Sequence, residues 1–247
     1  MLLGLIMANA GPSPAPSVAK GDIISFDAFG DGTQQRFRVL SVNGTVAKII
    51  GFEPGFTGKI SDGSRHSGTF SNGENYAAYE GSYVDVGLET TYYSSLSASV
   101  KNAIIAENYT QFACTAPAAG QVPTEHDFNI QRVTSVQVHS YDKLGEKVVG
   151  SRHVRSFDIQ DLIEYFEFTP TNNTIPAQTL IELLTDSTTP PSNYYGIISA
   201  MQGGSSYDCV ITIDSTHGHL NRLRVSYNAR FSPLFKIDLS QIQYTKE

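Results

Sequence analysis

The stretch RFRVLSVNGTVAKII, residues 36–50, sets Asn43-Gly44 between two runs rich in Val and Ile. Both turn residues tolerate positive φ, so the pair is the strongest local signal for an antiparallel hairpin. Strands are predicted near 23–26, 35–42 and 45–52. The closing stretch NARFSPLFKIDLSQIQYTKE, residues 228–247, carries Phe231, Leu234, Phe235, Ile237, Leu239 and Ile242. Six large apolar side chains there need burial, so this segment is expected to close a sheet.

Between these two β signals the pattern changes period. Residues 54–82, rich in Gly, Ser and Asn with interspersed aromatics, read as a long surface loop. Helices are predicted over about 83–95 and 97–106, the second with Ser97 as N-cap and Val100, Ile104 and Ile105 facing inward. After a loop containing Pro117 and Pro123, RVTSVQVHS (132–140) reads as a strand. SFDIQDLIEYF (156–166) reads as a helix with Ser156 as N-cap and Asp158 favourable to the helix dipole. Its Ile159, Leu162, Ile163 and Phe166 fall at i, i+3, i+4 and i+7. TIPAQTLIELLTD (174–186) repeats the design, with Pro176 in the first turn and Ala177, Leu180, Ile181 and Leu184 inward. Short strands follow at about 195–200, 208–213, 222–228 and 233–239. This order is not the regular alternation of a parallel α/β sheet, and it predicts an α+β domain with a mixed or antiparallel sheet, helices in the middle and long loops. One domain is expected over 21–247, after an Ala/Pro-rich N-terminal arm over 1–20.

Charge narrows the partners. The net charge is −7, and the 17 Lys and Arg are scattered singly along the chain, so no basic patch for nucleic acid is visible. Leu2 to Ala8 is apolar but much too short to span a bilayer, and no Lys or Arg precedes it as in a signal peptide. Met7 is a second candidate start. Leu2, Leu3, Leu5, Ile6, Pro12, Pro14 and Pro16 are the residues expected to make the arm an attachment segment. Cys114 and Cys209 have no metal-type spacing and read as two separate thiols rather than a disulfide.

Chemical motifs are sparse. His217-Gly218-His219 with Asp214 falls short of a metal ligand set, and no metal or cofactor is expected. Asp158 and Asp161 read as a cap and a solvated helix face rather than as a catalytic pair. No Gly-x-Ser-x-Gly elbow or phosphate-binding loop occurs, so no catalytic residue is assigned. The aromatic content, 13 Tyr and 13 Phe without Trp, is more informative. Tyr76, Tyr79, Tyr194 and Tyr195 are the candidate binding residues, since tyrosine presents a rigid apolar face with a polar tip. Tyr76 and Tyr79 divide evenly between loop packing and contact with a partner, and at least one of Tyr92 and Tyr93 is expected in the core.

Three segments, in order, resemble a widespread family of C-type-lectin-like domains from bacterial and phage proteins. YVDVGLETTYYSSLSASVKNAI looks like its "LD.YLNTTYYNSLS...K.AI" pattern, SFDIQDLIEYF its "ALDVQDIIEYL", and residues 194–245 its final third ending in "PAFKIDLSKI". The similarity covers roughly Gly21 to Thr245. Where that family has Trp and Arg before Ser-Ala this chain has Gly196 and Ile198, and where it has Arg before Pro-Ala-Phe it has Ser232. The loss of both arginines together is what a shared buried site would produce. The resemblance implies a C-type-lectin-like fold in which 233–239 lies beside the strand near 22–26. The calcium-site motifs of sugar-binding members do not occur; Glu53-Pro54 is followed by Gly55.

The function expected from these observations is a non-enzymatic structural or display protein of a phage particle, a capsid decoration or fibre, at the virion surface. Its partners would be other virion proteins. A homo-oligomer would suit a fibre, although no heptad run supports one. The second reading is a host-recognition adhesin, on a tail tip or bacterial surface, that binds a glycan or protein. An enzyme of unknown reaction ranks last.

Overall fold

The computed structural model describes residues 17–60, 67–69, 75–77, 79–114, 135–137, 143–167, 174–176, 182–184, 194–201, 209–214, 219–224 and 228–247. Strands β1 (Ile23–Asp27), β2 (Gln34–Asn43) and β3 (Val46–Gly51) form an antiparallel meander. Gly44 adopts φ 62°, the left-handed conformation that the Asn-Gly turn supplies without a Cβ penalty. The stretch expected as loop contains three short strands, β4 (Phe56–Gly58), β5 (Ser67–Thr69) and β6 (Asn75–Ala77). The last two pair with each other.

Residues 83–95 are helical as predicted, but their centre is wider than an α-helix. Helix α1 (Tyr83–Asp85) leads into a π-helical stretch (Val86–Tyr92) and then α2 (Tyr93–Ser95). The Phe56 ring lies against Gly87 so closely that a Cβ there would come 2.3 Å from Phe56 Cδ2. Tyr92 and Tyr93 both pack against the core. Helix α3 (Ala98–Ala103) starts on Ser97, whose Oγ accepts from the Val100 amide. The expected continuation to 106 does not occur, because Ile104 turns extended and β7 (Ile104–Ile105) joins a sheet. Strand alternation then separates the two isoleucines: Ile104 is buried, and Ile105, expected inward, is 41% exposed.

The chain continues through β8 (Glu107–Cys114), β9 (Ser135–Gln137), β10 (Lys143–Arg152), β11 (Arg155–Ser156) and α4 (Ile159–Phe166). Ser156, expected as the N-cap of α4, belongs to β11 instead, and capping passes to Asp158. Thr174–Pro176 forms β12, paired with β9, where the first turn of a helix was expected. That pairing satisfies backbone groups which an isolated Pro-led turn would leave open. Residues 182–184 are helical, with Leu183 and Leu184 buried. Then come β13 (Tyr194–Met201), β14 (Cys209–Asp214), β15 (His219–Arg224), β16 (Ala229–Phe231) and β17 (Pro233–Asp238). A 3-10 turn (Leu239–Gln241) and β18 (Thr245–Lys246) follow. Strand β15 starts earlier than the predicted 222–228.

Two seven-stranded sheets organise these elements. The first runs β11-β17-β3-β2-β1-β18, with β7 also on β17; the second runs β10-β8-β13-β14-β15, with β16 linking β13 to β4. The pairings are antiparallel except where β13 meets β8 and β16. The architecture is thus a sheet-rich α+β one with few helices. Strand β17 does not lie beside β1 as expected. The meander leaves β3 as the free edge that β17 takes, with Leu234–Asp238 opposite Ile50–Val46. It is the two-residue β18 that reaches β1, pairing Ile24 with Lys246. On the second sheet Met201 lies opposite Cys114 on one side and Cys209 on the other. The cysteine backbones are therefore two strand spacings apart, about 9–10 Å, beyond the roughly 7 Å that a disulfide tolerates.

One face of the first sheet builds the core. Ile24, Phe26, Phe37, Val39, Ala47, Ile49, Phe235 and Ile237 are essentially inaccessible and belong to one cluster. Phe26 stacks on Phe37 at 4.5 Å, and Phe37 meets Phe235 edge-on at 5.6 Å. Val84, Leu88, Leu96, Val100 and Ala103 cover this face from the helices. The tightness at Phe56 gives a test. Gly87→Ala should lower stability by about 1–3 kcal/mol through overpacking, despite alanine's better helix propensity, and adding Phe56→Leu should restore part of the loss in urea denaturation.

Candidate binding cleft

The opposite face of the same sheet is cationic. Register places Arg155 across from Leu234, Leu234 across from Ile50, and Ile50 across from Arg38. One row along, Lys48 lies directly opposite Lys236. Residues paired across antiparallel strands share a face, and alternate residues on a strand do too, so Arg36, Arg38, Lys48, Lys236 and Arg155 all project to one side. Five of the chain's 17 cationic residues thereby gather on one sheet face. Like charges at such spacing repel, and the fold offsets the repulsion with acids carried by neighbouring elements.

Asp158, Asp161 and Glu164 recur at intervals of three and so share a face of α4 and its cap. The Asp158 backbone N–H donates to Asp161 Oδ2 at 3.0 Å, and the Asp161 N–H donates to Asp158 Oδ1 at 3.2 Å. This reciprocal capping box starts the helix and fixes both carboxylates. Arg155 then donates from Nη1 to Asp161 Oδ2 and from Nη2 to Asp161 Oδ1, both at 2.7 Å, a bidentate pair. Its Nε donates to Glu107 Oε1 at 2.9 Å, and its guanidinium sits 4.7 Å from the centre of the Tyr109 ring. Tyr109 Oη donates to Asp158 Oδ2 at 3.0 Å. Asp158 and Asp161 are only 2% and 3% exposed, so the sequence expectation of a solvated helix face is corrected. The capping half of that expectation holds.

Around this cluster lies a cleft of about 520 Å³, lined by Lys48, Lys236, Glu107, Tyr109, Asp158 and Glu164 among others. Lys236 Nζ is 2.6 Å from Glu107 Oε2. Lys48 Nζ reaches Asp161 at 3.3 Å and Glu164 at 3.4 Å. Burial opposes the Lys48 charge most strongly of any single influence, but the carboxylates of Asp161, Glu107 and Glu164 together outweigh it and raise the ammonium pKa above its usual value. Burial likewise pushes Glu107 up, and Arg155 with Lys236 brings it below the usual carboxylate range. The two aspartates separate. Burial, reinforced by the Asp161 charge, pushes Asp158 up to about 7, whereas Arg155 overcomes burial and holds Asp161 down to about 2.

The tyrosines disperse. Tyr79 is wholly buried, which corrects its assignment as a contact residue: its Oη accepts from the Ser156 N–H at 3.1 Å, and its ring meets Tyr109 edge-on at 5.3 Å. Its amide donates to the buried Gln111 side chain. Tyr76 lies on β6 opposite Gly68, and Tyr194 and Tyr195 lie on β13. Register places Tyr194 across from Asp214, and Asp214 across from His219. His217 and the arm residues Leu2, Leu3, Leu5, Ile6, Pro12, Pro14 and Pro16 lie outside the described residues. Val18, within the expected arm, packs on the core, and Lys246 donates to the Ser17 carbonyl. Sequence reasoning missed Lys48, Lys236, Glu107 and Arg155; the available signal was a lysine amid apolar residues in VAKII and LFKID. Among the described residues no cluster of three or more His, Cys, Asp or Glu could hold a metal. No family model matches the chain, and neither a curated protein nor a solved structure does.

Two measurements probe the network. Arg155→Met should cost about 3–5 kcal/mol in urea denaturation, because it removes the bidentate partner of the buried Asp161, leaving it only the longer Lys48 contact, and leaves Glu107 to Lys236 alone. The Asp158 pKa is higher folded than unfolded, so its protonation contributes stability that is fully present below about pH 4 and lost as pH rises through about 7. Wild type should therefore weaken from pH 5 to pH 8, by up to roughly 3 kcal/mol, and Asp158→Asn, which mimics the neutral acid, should flatten that slope.

Proposed function

We propose that this chain is a non-enzymatic C-type-lectin-like module of a phage particle, a capsid decoration or fibre component attached through the segment that precedes Ser17. The observation that carries the reading is the closure of the first sheet by its outermost strand pair. Glu247 N–H donates to Ile23 O, Lys246 bonds Ser17 O and Asp22, and Arg36 pairs with Glu247. These bonds hold the start of the domain on the sheet edge, from which an attachment segment can leave without disturbing the core. The likeness of three ordered sequence segments to C-type-lectin-like domains supports the fold.

A structural role also suits the chemistry of the acidic cluster. Asp161 is engaged by Arg155, Lys48 and the Asp158 backbone, and Asp158 by Tyr109 and the Asp161 backbone, so the geometry ties elements together. Other virion proteins are the proposed partners.

The test compares full-length protein with a form lacking residues 1–16, which keeps Ser17 and its contact. Each is incubated with purified particles devoid of the protein and with envelopes of the host cell. The expected outcome is particle binding by the full-length form alone, with both forms sharing one thermal transition. Envelope binding by both forms would replace this reading with host recognition.

A further inference from the structure

Lys48 and Lys236 face the cleft side by side, yet their donors are unequally used. Neither has a partner beyond those already given among the described residues. Lys48 is 14% exposed, and both of its acidic contacts exceed 3.2 Å, whereas charge-assisted N–H···O bonds settle near 2.7–2.9 Å. Lys236 is 36% exposed and holds Glu107 closely with one of its three N–H groups. By contrast Arg155 uses four of its five N–H groups: Asp161 takes both terminal nitrogens, Glu107 takes Nε, and Nη1 also reaches the Ser156 carbonyl. The deep end of the cleft is therefore closed by internal pairing. The ammonium pair retains unspent donors, and the half-exposed carboxylate of Glu164 stands next to Lys48.

We propose that this cleft binds a small carboxylate-bearing polar ligand, its carboxylate bridging Lys48 and Lys236 and a hydroxyl or ammonium group of the same molecule donating to Glu164. Adjacent cross-strand residues have Cβ atoms about 5 Å apart, a spacing from which two flexible lysines can converge on the two oxygens of one carboxylate. The cleft volume, about 520 Å³, admits a ligand of sugar-acid or amino-acid size. Both kinds carry the required chemistry, so the experiment separates them. The proposal stands independently of attachment to a particle.

Isothermal titration of the full-length protein with glucuronate, glutamate and glucose is the test, repeated on Lys236→Gln and on Glu164→Gln. Thermal unfolding of each variant verifies that it is folded. Lys236 is the better lysine to alter, because its partial exposure spares the buried Asp161 pair. Saturable binding of glucuronate or glutamate is expected, at least tenfold tighter than glucose and weakened at least fivefold by Lys236→Gln. Glu164→Gln should weaken the same ligand. Whichever acid binds more tightly identifies the source. Absence of saturable binding by either acid, equal binding of glucose, or undiminished binding by folded Lys236→Gln would overturn the proposal.

Discussion

The bidentate pair between Arg155 and Asp161 is the contact on which the arrangement of layers depends. Arg155 belongs to the edge strand of the first sheet, and Asp161 to the first turn of α4. A buried guanidinium without its carboxylate would be strongly unfavourable, so α4 can settle only where Asp161 meets Arg155. Glu107 at the start of β8 takes the remaining face of the same guanidinium, which brings the second sheet to the same point. Tyr109, two residues along β8, covers Arg155 and donates to Asp158. One cation thus orients a helix and both sheets.

The segment around Arg155 repeats this device. Arg152 makes a bidentate pair with Asp85 in α1, at 2.7 and 2.9 Å. Glu89, within the π-helical stretch, accepts from the backbone N–H groups of His153 and Val154 and contacts the His153 ring, which stacks on Tyr93 at 4.4 Å. Residues 152–158 are therefore fastened on one side to the 83–95 helix and on the other to α4. The wider π-helical turns belong to this fastening, with Phe56 filling the space beside Gly87 and Glu89 directed at the 153–154 backbone. Apolar packing supplies the bulk of the core, while these directional pairs select which way the layers stack over it.

This division of labour bears on function. A cleft whose deepest groups are locked in mutual pairs offers a preformed, rigid site, and the partly used ammonium donors of Lys48 and Lys236 are what it presents to a ligand. The pH response of Asp158 belongs to the same economy of buried charge. Its neutral form leaves three cations, Lys48, Lys236 and Arg155, facing the three anions Glu107, Asp161 and Glu164, and ionisation near neutrality adds a fourth anion beside Asp161.

The meander was legible from Asn43-Gly44 and its flanking β-branched runs, and the burial of Phe231, Leu234, Phe235, Ile237 and Leu239 from their density alone. Those are local properties: a turn conformation and a transfer free energy belong to the residues themselves. Local capping was half legible, since Asp158 and Asp161 have the spacing of a reciprocal cap although Ser156 appeared the better start. The neighbour of β17, the burial of Tyr79 and the strand character of Thr174–Pro176 were not legible, because each depends on a partner distant in the chain. The same holds for the charges. Seventeen cations scattered singly looked like ordinary solvated surface, and pairing register alone brought five of them to one face, where Asp161, Glu107 and Glu247 pair with four and backbone carbonyls take Arg38. Sequence by itself determined the Asn43-Gly44 hairpin, the helical character of 83–95 and of the stretch after Asp158, and how much the closing stretch had to bury. Tertiary structure decided which charges meet, because Coulomb energy depends on distances that only the folded chain sets.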